Sequence, residues 1–156
     1  MTTAKTRPRT LQTFSLLPGH LIRRLHQTAT ALFAEECGGE LTAVQYAALV
    51  AIKAHPRIDA TRLSRAIYFD RSTIGDVLDR LETRGWVVRR ATRDDRRIKR
   101  VTLSSAGRDI LRQVQPGIRR VQGRLLAPLS SREAAALVRL LAKTAEAHTD
   151  REPDGR

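Results

Sequence analysis

The sequence has little cysteine, few aromatic side chains and no long apolar run. Its single cysteine, Cys37, cannot form a disulfide within the chain. Phe, Trp and Tyr make up only 4% of the 156 residues, and the abundance of Leu and Ala favours helices over an extensive sheet. No stretch of about 18 apolar residues is present, so no transmembrane helix is predicted. Because the basic N-terminus also lacks an apolar signal-peptide core, we expect a cytoplasmic protein.

Catalytic and metal-binding motifs are also missing from the sequence. There is no G-x-S-x-G, no H-x-x-x-H, no glycine-rich phosphate loop and no His/Cys set with the spacing of metal ligands. The histidines are scattered at positions 20, 26, 55 and 148. We therefore expect that the protein is not an enzyme and uses no metal or other cofactor.

Acidic residues are scarce beside basic ones. The chain has 16 Asp and Glu against 29 Lys and Arg, which gives a net charge of +13. Such an excess favours a polyanionic partner, either nucleic acid or an anionic membrane surface. Apolar residues make up 41% of the chain, which is enough for a real core. The length suits one domain, with or without an added oligomerisation element.

Apolar periodicity and capping residues predict helices that flank a short β-hairpin. The fold class is therefore mainly α. Capping boxes are expected where Thr42 and Ser130 open helices, and Pro116 predicts a kink inside a long helix. The predicted helices cover 16–36, 42–55, 59–67, 71–84, 104–128 and 130 onward, and the predicted strands cover 86–88 and 100–103.

Two short helices joined by a three-residue turn and followed by a hairpin have the order of a winged helix-turn-helix. The second helix enters the major groove of duplex DNA, where its N-terminal residues meet base edges. Arg71 suits guanine and Thr73 suits a thymine methyl group, although Asp70 and Ser72 can also serve only as helix caps. The candidate reading residues are Arg71, Ser72, Thr73, Asp76 and Arg80.

The hairpin is the most basic segment. Its seven basic residues are opposed only by the acidic residues Asp94 and Asp95. We predict that its tip enters a minor groove, where Arg is attracted by the negative potential, rather than remaining a solvated loop. Arg62 and Arg65 on the predicted helix at 59–67 are candidate phosphate contacts. The basic residues of the hairpin are Arg89, Arg90, Arg93, Arg96, Arg97, Lys99 and Arg100.

These motifs resemble those of the MarR family (multiple antibiotic resistance regulators). The resemblance lies in Asp70-Arg-Ser-Thr73, in Leu78-Asp-Arg-Leu-Glu-Thr-Arg-Gly85, and in the stretch from Asp95 to Gly107, which fits the wing signature D-x-R-x-x-x-V-x-L-[ST]-x-x-G. It implies that Asp95 and Arg97 shape the wing and that the Arg reaches the minor groove. We expect a MarR-type domain over 14–148, between a flexible basic arm at 1–13 and a tail at 149–156. Within it, the winged helix-turn-helix spans about 41–103, and 16–37 and 104–148 form homodimer helices.

The first helix begins with Pro18-Gly-His-Leu-Ile-Arg-Arg-Leu25, which is similar to the P-G-H-L-x-R-R-L segment of relatives that respond to hydroxylated aromatic carboxylates. The resemblance implies that Arg23 clamps the carboxylate, a contact that the planar guanidinium suits. His20 is one turn away for a ring hydroxyl or nitrogen, and Tyr46 closes the site. Alternatively, Arg23 forms a surface or dimer salt bridge, and His20 and Tyr46 are ordinary packing residues.

The turn before the recognition helix departs from the family, because Tyr68 stands where many relatives have Gly. If the left-handed backbone is kept, Tyr pays a steric cost. If the turn differs, Tyr68 or Phe69 packs against a ligand or the core, and both are therefore candidate ligand-binding residues.

The sequence thus predicts a homodimeric transcriptional regulator, interpreted as a repressor of an aromatic-acid catabolic or related operon. We expect it to bind a pseudo-palindromic operator in double-stranded DNA and to be released by a small aromatic carboxylate of the hydroxybenzoate or hydroxynicotinate type. Two alternatives stay open. One is an oxidant-sensing repressor that uses Cys37, and the other is an architectural DNA-binding protein without an effector.

Overall fold

A computed structural model describes residues 13–92 and 98–148 of the chain. This part is mainly helical and contains one two-stranded antiparallel sheet, as predicted. In chain order the elements are α1 (Pro18–Glu36), α2 (Ala43–Ala54), α3 (Ala60–Ile67), α4 (Arg71–Thr83), β1 (Val87–Ala91), β2 (Lys99–Leu103), α5 (Ser105–Leu126) and α6 (Ser131–Glu146). No helix in the described ranges combines the length and apolar character needed to cross a membrane. The predicted arm before residue 13 and the tail after residue 148 lie outside the described residues.

Local capping chemistry sets the helix starts where the sequence predicts them. Thr42 and Ser130 each open a helix with a complete capping box, in which side chain and backbone satisfy each other's hydrogen bonds. Asp59 caps α3 by accepting from the Arg62 backbone N–H at 2.9 Å. After the C-terminal end of α4, Gly85 takes a left-handed φ of 70° that suits glycine, and the chain turns there into the hairpin.

The hairpin is longer than predicted. β1 and β2 pair in register from Val87↔Leu103 to Ala91↔Lys99, and Ile58 adds a bridge to Val101. The prediction that β1 covers 86–88 was wrong because Arg89 and Arg90 have no strand-like apolar pattern. Cross-strand backbone hydrogen bonds, which a single-strand pattern does not reveal, hold them in the ladder.

One hydrophobic core joins α2, α3, α4, the base of the hairpin and the first half of α5. Leu49, Leu63 and Leu81 are fully buried at its centre, and Val101 seals it from the sheet. α5 runs through Pro116 as one helix and packs along α1. The two helices come so close that a Cβ on Gly117 would overlap the carbonyl oxygen of Glu36. We call residues 41–103, which supply most of this core, the reading unit.

The helices that flank the reading unit leave much of their apolar surface exposed. On α1, Leu21, Ile22 and Leu25 are 37%, 52% and 44% exposed. On α6, Val138 and Leu140 are 56% and 51% exposed, and none of its described residues is buried. Exposed apolar side chains concentrated on two helices in this way are typical of an interface with another protein surface.

Candidate DNA-binding face and effector site

The N-terminus of α4 is organised around the Asp70 carboxylate. It accepts hydrogen bonds from the Thr73 backbone N–H at 2.8 Å, the Ser72 hydroxyl at 2.6 Å and the Thr73 hydroxyl at 2.5 Å. These hydrogen bonds hold the pKa of Asp70 well below its usual range. Both hydroxyls are therefore turned inward to the cap in the free protein. The Arg71 side chain is exposed and remains available for a base edge.

The turn before α4 keeps the left-handed backbone. Tyr68 has φ 56° and ψ 45°, so the tyrosine carries the steric cost expected for a residue with a Cβ in this region. Its side chain is 62% exposed, whereas Phe69 packs partly buried against the core. Phe69 therefore has a structural role that accounts for its position in the turn.

A cleft of about 420 Å³ lies between α3, α4 and the hairpin. It brings together predicted DNA-binding residues that are far apart in sequence, with Arg62 and Arg65 on one wall and Arg71 and Lys99 on the others. Asp76 and Arg80 are exposed further along α4. The winged helix-turn-helix thus presents one concave basic surface at the start of its recognition helix.

The base of the hairpin is less free than its sequence suggests. Arg89 donates to Glu82 at 2.7 Å and to Asp79 at 2.6 Å, both on α4. Arg100 is 3.2 Å from the carboxylate of Asp59. The view that only Asp94 and Asp95 oppose the basic hairpin was therefore wrong. The partners lie on α3 and α4 rather than on the hairpin, and the spacing of Asp79 and Glu82 on one face of α4 is a local hint of their pairing.

The tip of the hairpin carries several predicted DNA contacts that lie outside the described residues. Of the residues next to it, Lys99 and Ile98 are exposed. These predicted contacts are Asp95, Arg96 and Arg97, and Arg93 and Asp94 of the same hairpin also lie outside the described residues.

The candidate effector residues fall into separate groups in the single chain. Arg23 is exposed on α1, and His20 packs one turn before it against Phe14, with ring centroids 4.5 Å apart. Tyr46 instead packs against Phe33, with the two ring centroids 5.9 Å apart. Phe33 is ten residues beyond Arg23 on α1, which corresponds to about 15 Å along the helix. Tyr68 and Phe69 belong to the turn before α4.

Cys37 follows the end of α1 and is half-buried beside α5. Burial raises the pKa of its thiol, although Arg120 acts in the opposite direction. The protonated thiol is a poor nucleophile, so the microenvironment is unlike that of a reactive cysteine. Within the described ranges there is also no group of three metal-ligating side chains.

Comparisons with known proteins agree with this architecture. Residues 41–99 match the MarR family model. The transcriptional repressor NicR of Pseudomonas putida is 31% identical over 126 residues, which cover 80% of each chain. Bordetella bronchiseptica BpsR, whose structure concerns the regulation of DNA binding by 6-hydroxynicotinic acid, is 29% identical with a TM-score of 0.79 over 85% of this chain and 95% of BpsR. The transcriptional repressor CouR, bound to a 23-mer DNA duplex, is 26% identical with a TM-score of 0.81 over 91% of this chain and 99% of CouR.

The family match coincides with the reading unit, and the relatives cover the flanking helices as well. The chain therefore belongs to the MarR family and is a DNA-binding transcriptional regulator.

Proposed function

We propose that the protein is a homodimeric repressor that binds a pseudo-palindromic operator and is released by a small aromatic carboxylate. The observation that carries the proposal is the basic cleft between α3, α4 and the hairpin, because it places cations around the start of the recognition helix. Arg71 then reads a base edge in the major groove, while Arg62, Arg65 and Lys99 contact phosphates. The CouR complex with duplex DNA supports this use of the fold.

The exposed apolar faces of α1 and α6 support a dimer of two identical chains. A two-fold dimer presents its recognition helices to half-sites about one helical turn apart, which requires a pseudo-palindromic operator. We therefore propose that residues 16–37 and residues 104–148 together form the dimerisation region.

Arg23 is the proposed carboxylate clamp of the effector site. Its side chain is exposed, and no carboxylate among the described residues pairs with it. A planar guanidinium binds a carboxylate through two parallel hydrogen bonds, and His20 at the i−3 position can meet a ring hydroxyl or nitrogen. The effect of 6-hydroxynicotinic acid on DNA binding by BpsR supports an effector of this chemistry.

We propose that Tyr46 closes this site from the second protomer. Within one chain, Tyr46 packs on Phe33, which lies about 15 Å beyond Arg23 along α1. Pairing two α1 helices in a dimer can bring these side chains together. Binding would then favour a dimer whose recognition helices are wrongly spaced for successive grooves.

Calorimetric titration with 6-hydroxynicotinate and 4-hydroxybenzoate tests the clamp. For whichever of the two acids binds the wild type, we expect Arg23→Ala to weaken binding roughly thirtyfold or more, because the carboxylate of the acid loses a charged partner. The matched control is Arg24→Ala, which removes the neighbouring exposed guanidinium and should leave affinity unchanged. Equal affinities for wild type and Arg23→Ala would refute the clamp.

A second titration separates a regulator from an architectural protein. A duplex selected from random sequence by the wild-type protein should bind about 10³-fold more tightly than unselected duplex. Similar affinities for both would favour an architectural role. Arg71→Ala should lower the affinity for the selected duplex, and an unchanged affinity would contradict the proposed DNA face.

A further inference from the structure

Arg89 differs from the other basic residues of the hairpin by being engaged on two sides. Its side chain is only 18% exposed. The Nε donates to Glu82 Oε2 at 2.7 Å, and the Nη2 donates to Asp79 Oδ1 at 2.6 Å. Asp79 and Glu82 are three residues apart on α4, so the guanidinium joins β1 to one face of the recognition helix.

The charges of this cluster do not favour attraction to DNA. One guanidinium faces two carboxylates, so the three side chains carry a net charge of −1 when ionised. Arg89 lowers the pKa of Glu82, and the two carboxylates raise the pKa of Arg89, so the Glu82 carboxylate and the Arg89 guanidinium stay charged at neutral pH. By contrast, Arg90 and Lys99 nearby are exposed.

The second strand of the hairpin is joined to the other helix of the motif. Arg100 is 3.2 Å from Asp59 Oδ2, and its Nη1 also donates to the carbonyl of Arg57 at 3.4 Å. Asp59 caps α3, so each strand of the hairpin is connected to a different helix. The hairpin base is thereby fixed relative to both helices of the helix-turn-helix.

We propose that Arg89 is a positioning residue that, through Asp79 and Glu82, sets the placement of the wing relative to the recognition helix and so contributes to operator specificity. This inference rests on the proposed DNA face. A forked guanidinium is suited to the task because it holds two carboxylates in fixed directions, whereas a lysine ammonium provides a point charge on a flexible stem.

Positioning and simple charge attraction predict opposite effects for the same variants. The double variant Asp79→Asn/Glu82→Gln removes two negative charges near the DNA, which makes the net charge more positive by two, and it releases Arg89. If charge dominates, the double variant binds operator more tightly. If Arg89 positions the wing, binding weakens despite the added charge. Arg89→Lys keeps the charge but loses the fork, so only the positioning role predicts a defect.

The experiment measures the affinities of the full-length protein for a selected operator duplex and for a random duplex, at temperatures where circular dichroism shows every variant folded. We expect Asp79→Asn/Glu82→Gln and Arg89→Lys each to lose roughly tenfold in operator affinity. Affinity for random duplex should be retained or increased, so the specificity ratio falls. Asp150→Asn/Glu152→Gln, after residue 148 and outside both proposed binding regions, is the charge-matched control and should keep the wild-type ratio.

An unchanged or higher specificity ratio for either variant would overturn the positioning role. Arg71→Ala, measured in parallel, separates this failure from failure of the proposed DNA face. If Arg71→Ala weakens operator binding while Asp79→Asn/Glu82→Gln and Arg89→Lys keep the wild-type specificity ratio, only the Arg89 inference is wrong. If Arg71→Ala also has no effect, the DNA face itself is misassigned.

Discussion

The reading unit and the helices that flank it use apolar residues in different ways. In the reading unit, Leu49 and Leu63 are completely buried by the rest of the same chain. On the flanking helices, Leu25 and Leu140 remain 44% and 51% exposed, although the apolar spacing there is just as regular. The reading unit buries its apolar side chains within one chain, whereas the flanking helices can bury theirs only against another protein surface.

This difference separates folding from assembly. Burying a leucine side chain stabilises a structure by about 1.5–3 kcal/mol, so the exposed leucines represent a considerable unused contribution. We infer that substitutions in the reading unit mainly change the free energy of unfolding. Substitutions on the exposed faces of α1 and α6 should mainly change dimer affinity.

The largest effect is expected from charges placed on both flanking faces. Leu25→Glu combined with Leu141→Glu would bury carboxylates in an apolar interface, and we expect dimerisation to weaken by about 4 kcal/mol or more. Sedimentation equilibrium measures the dimer constant. Val50→Glu combined with Val88→Glu, at exposed apolar positions of the reading unit, is the control for two added charges. A double variant that dimerises like wild type would remove these faces from the interface.

A cavity in the reading unit should give the next largest effect. Leu78 is 2% exposed on the inner side of α4. Leu78→Ala should lower the free energy of unfolding by about 2–5 kcal/mol, measured by urea denaturation. Val138→Ala on α6 is the exposed counterpart. In the monomeric protein it should lower the free energy of unfolding only slightly. Equal losses for the two would contradict the contrast between the regions.

A smaller effect concerns pH and is confined to the reading unit. Arg89 lowers the pKa of Glu82 below 4.5, so the ion pair stabilises the folded state above that value. The stability is lost as pH falls through the lowered pKa. Since Glu82 is 40% exposed, the contribution should be under about 1 kcal/mol. Glu82→Gln should flatten the curve of unfolding free energy between about pH 5 and 3, and an unchanged curve would show that the pair contributes nothing measurable.

The smallest effect is expected at the boundary between the regions. Because burial raises the pKa of Cys37, we expect peroxide to leave operator binding unchanged at neutral pH. Cys37→Ser should respond to the aromatic acid as wild type does, in the same DNA-binding assay. If peroxide releases the wild type but not Cys37→Ser, the protein senses oxidants through this thiol.

Local features of the fold could be predicted from the sequence. The Thr42 capping box depends on residues three apart, and the cap at Asp70 depends on its immediate neighbours. The recurrence of apolar residues every three or four positions likewise predicted the helices. These features need no knowledge of the remaining chain.

Features that depend on distant contacts were not predictable in the same way. The partners of Arg89 lie on another element, so its charge looked available for DNA when only the hairpin sequence was considered. The separation of Tyr46 from Arg23 follows from its packing against Phe33, which the sequence does not specify. Motif and resemblance thus predict which region binds DNA, while packing decides which of its charges are engaged within the chain.

The central claim is that two reading units act together because the flanking helices pair. Sedimentation velocity of a labelled operator duplex with the full-length protein tests it most directly. We predict two chains on a duplex with both half-sites, and at least about 100-fold weaker binding to a duplex with one half-site. One chain per duplex, with equal affinity for one or two half-sites, would contradict the account.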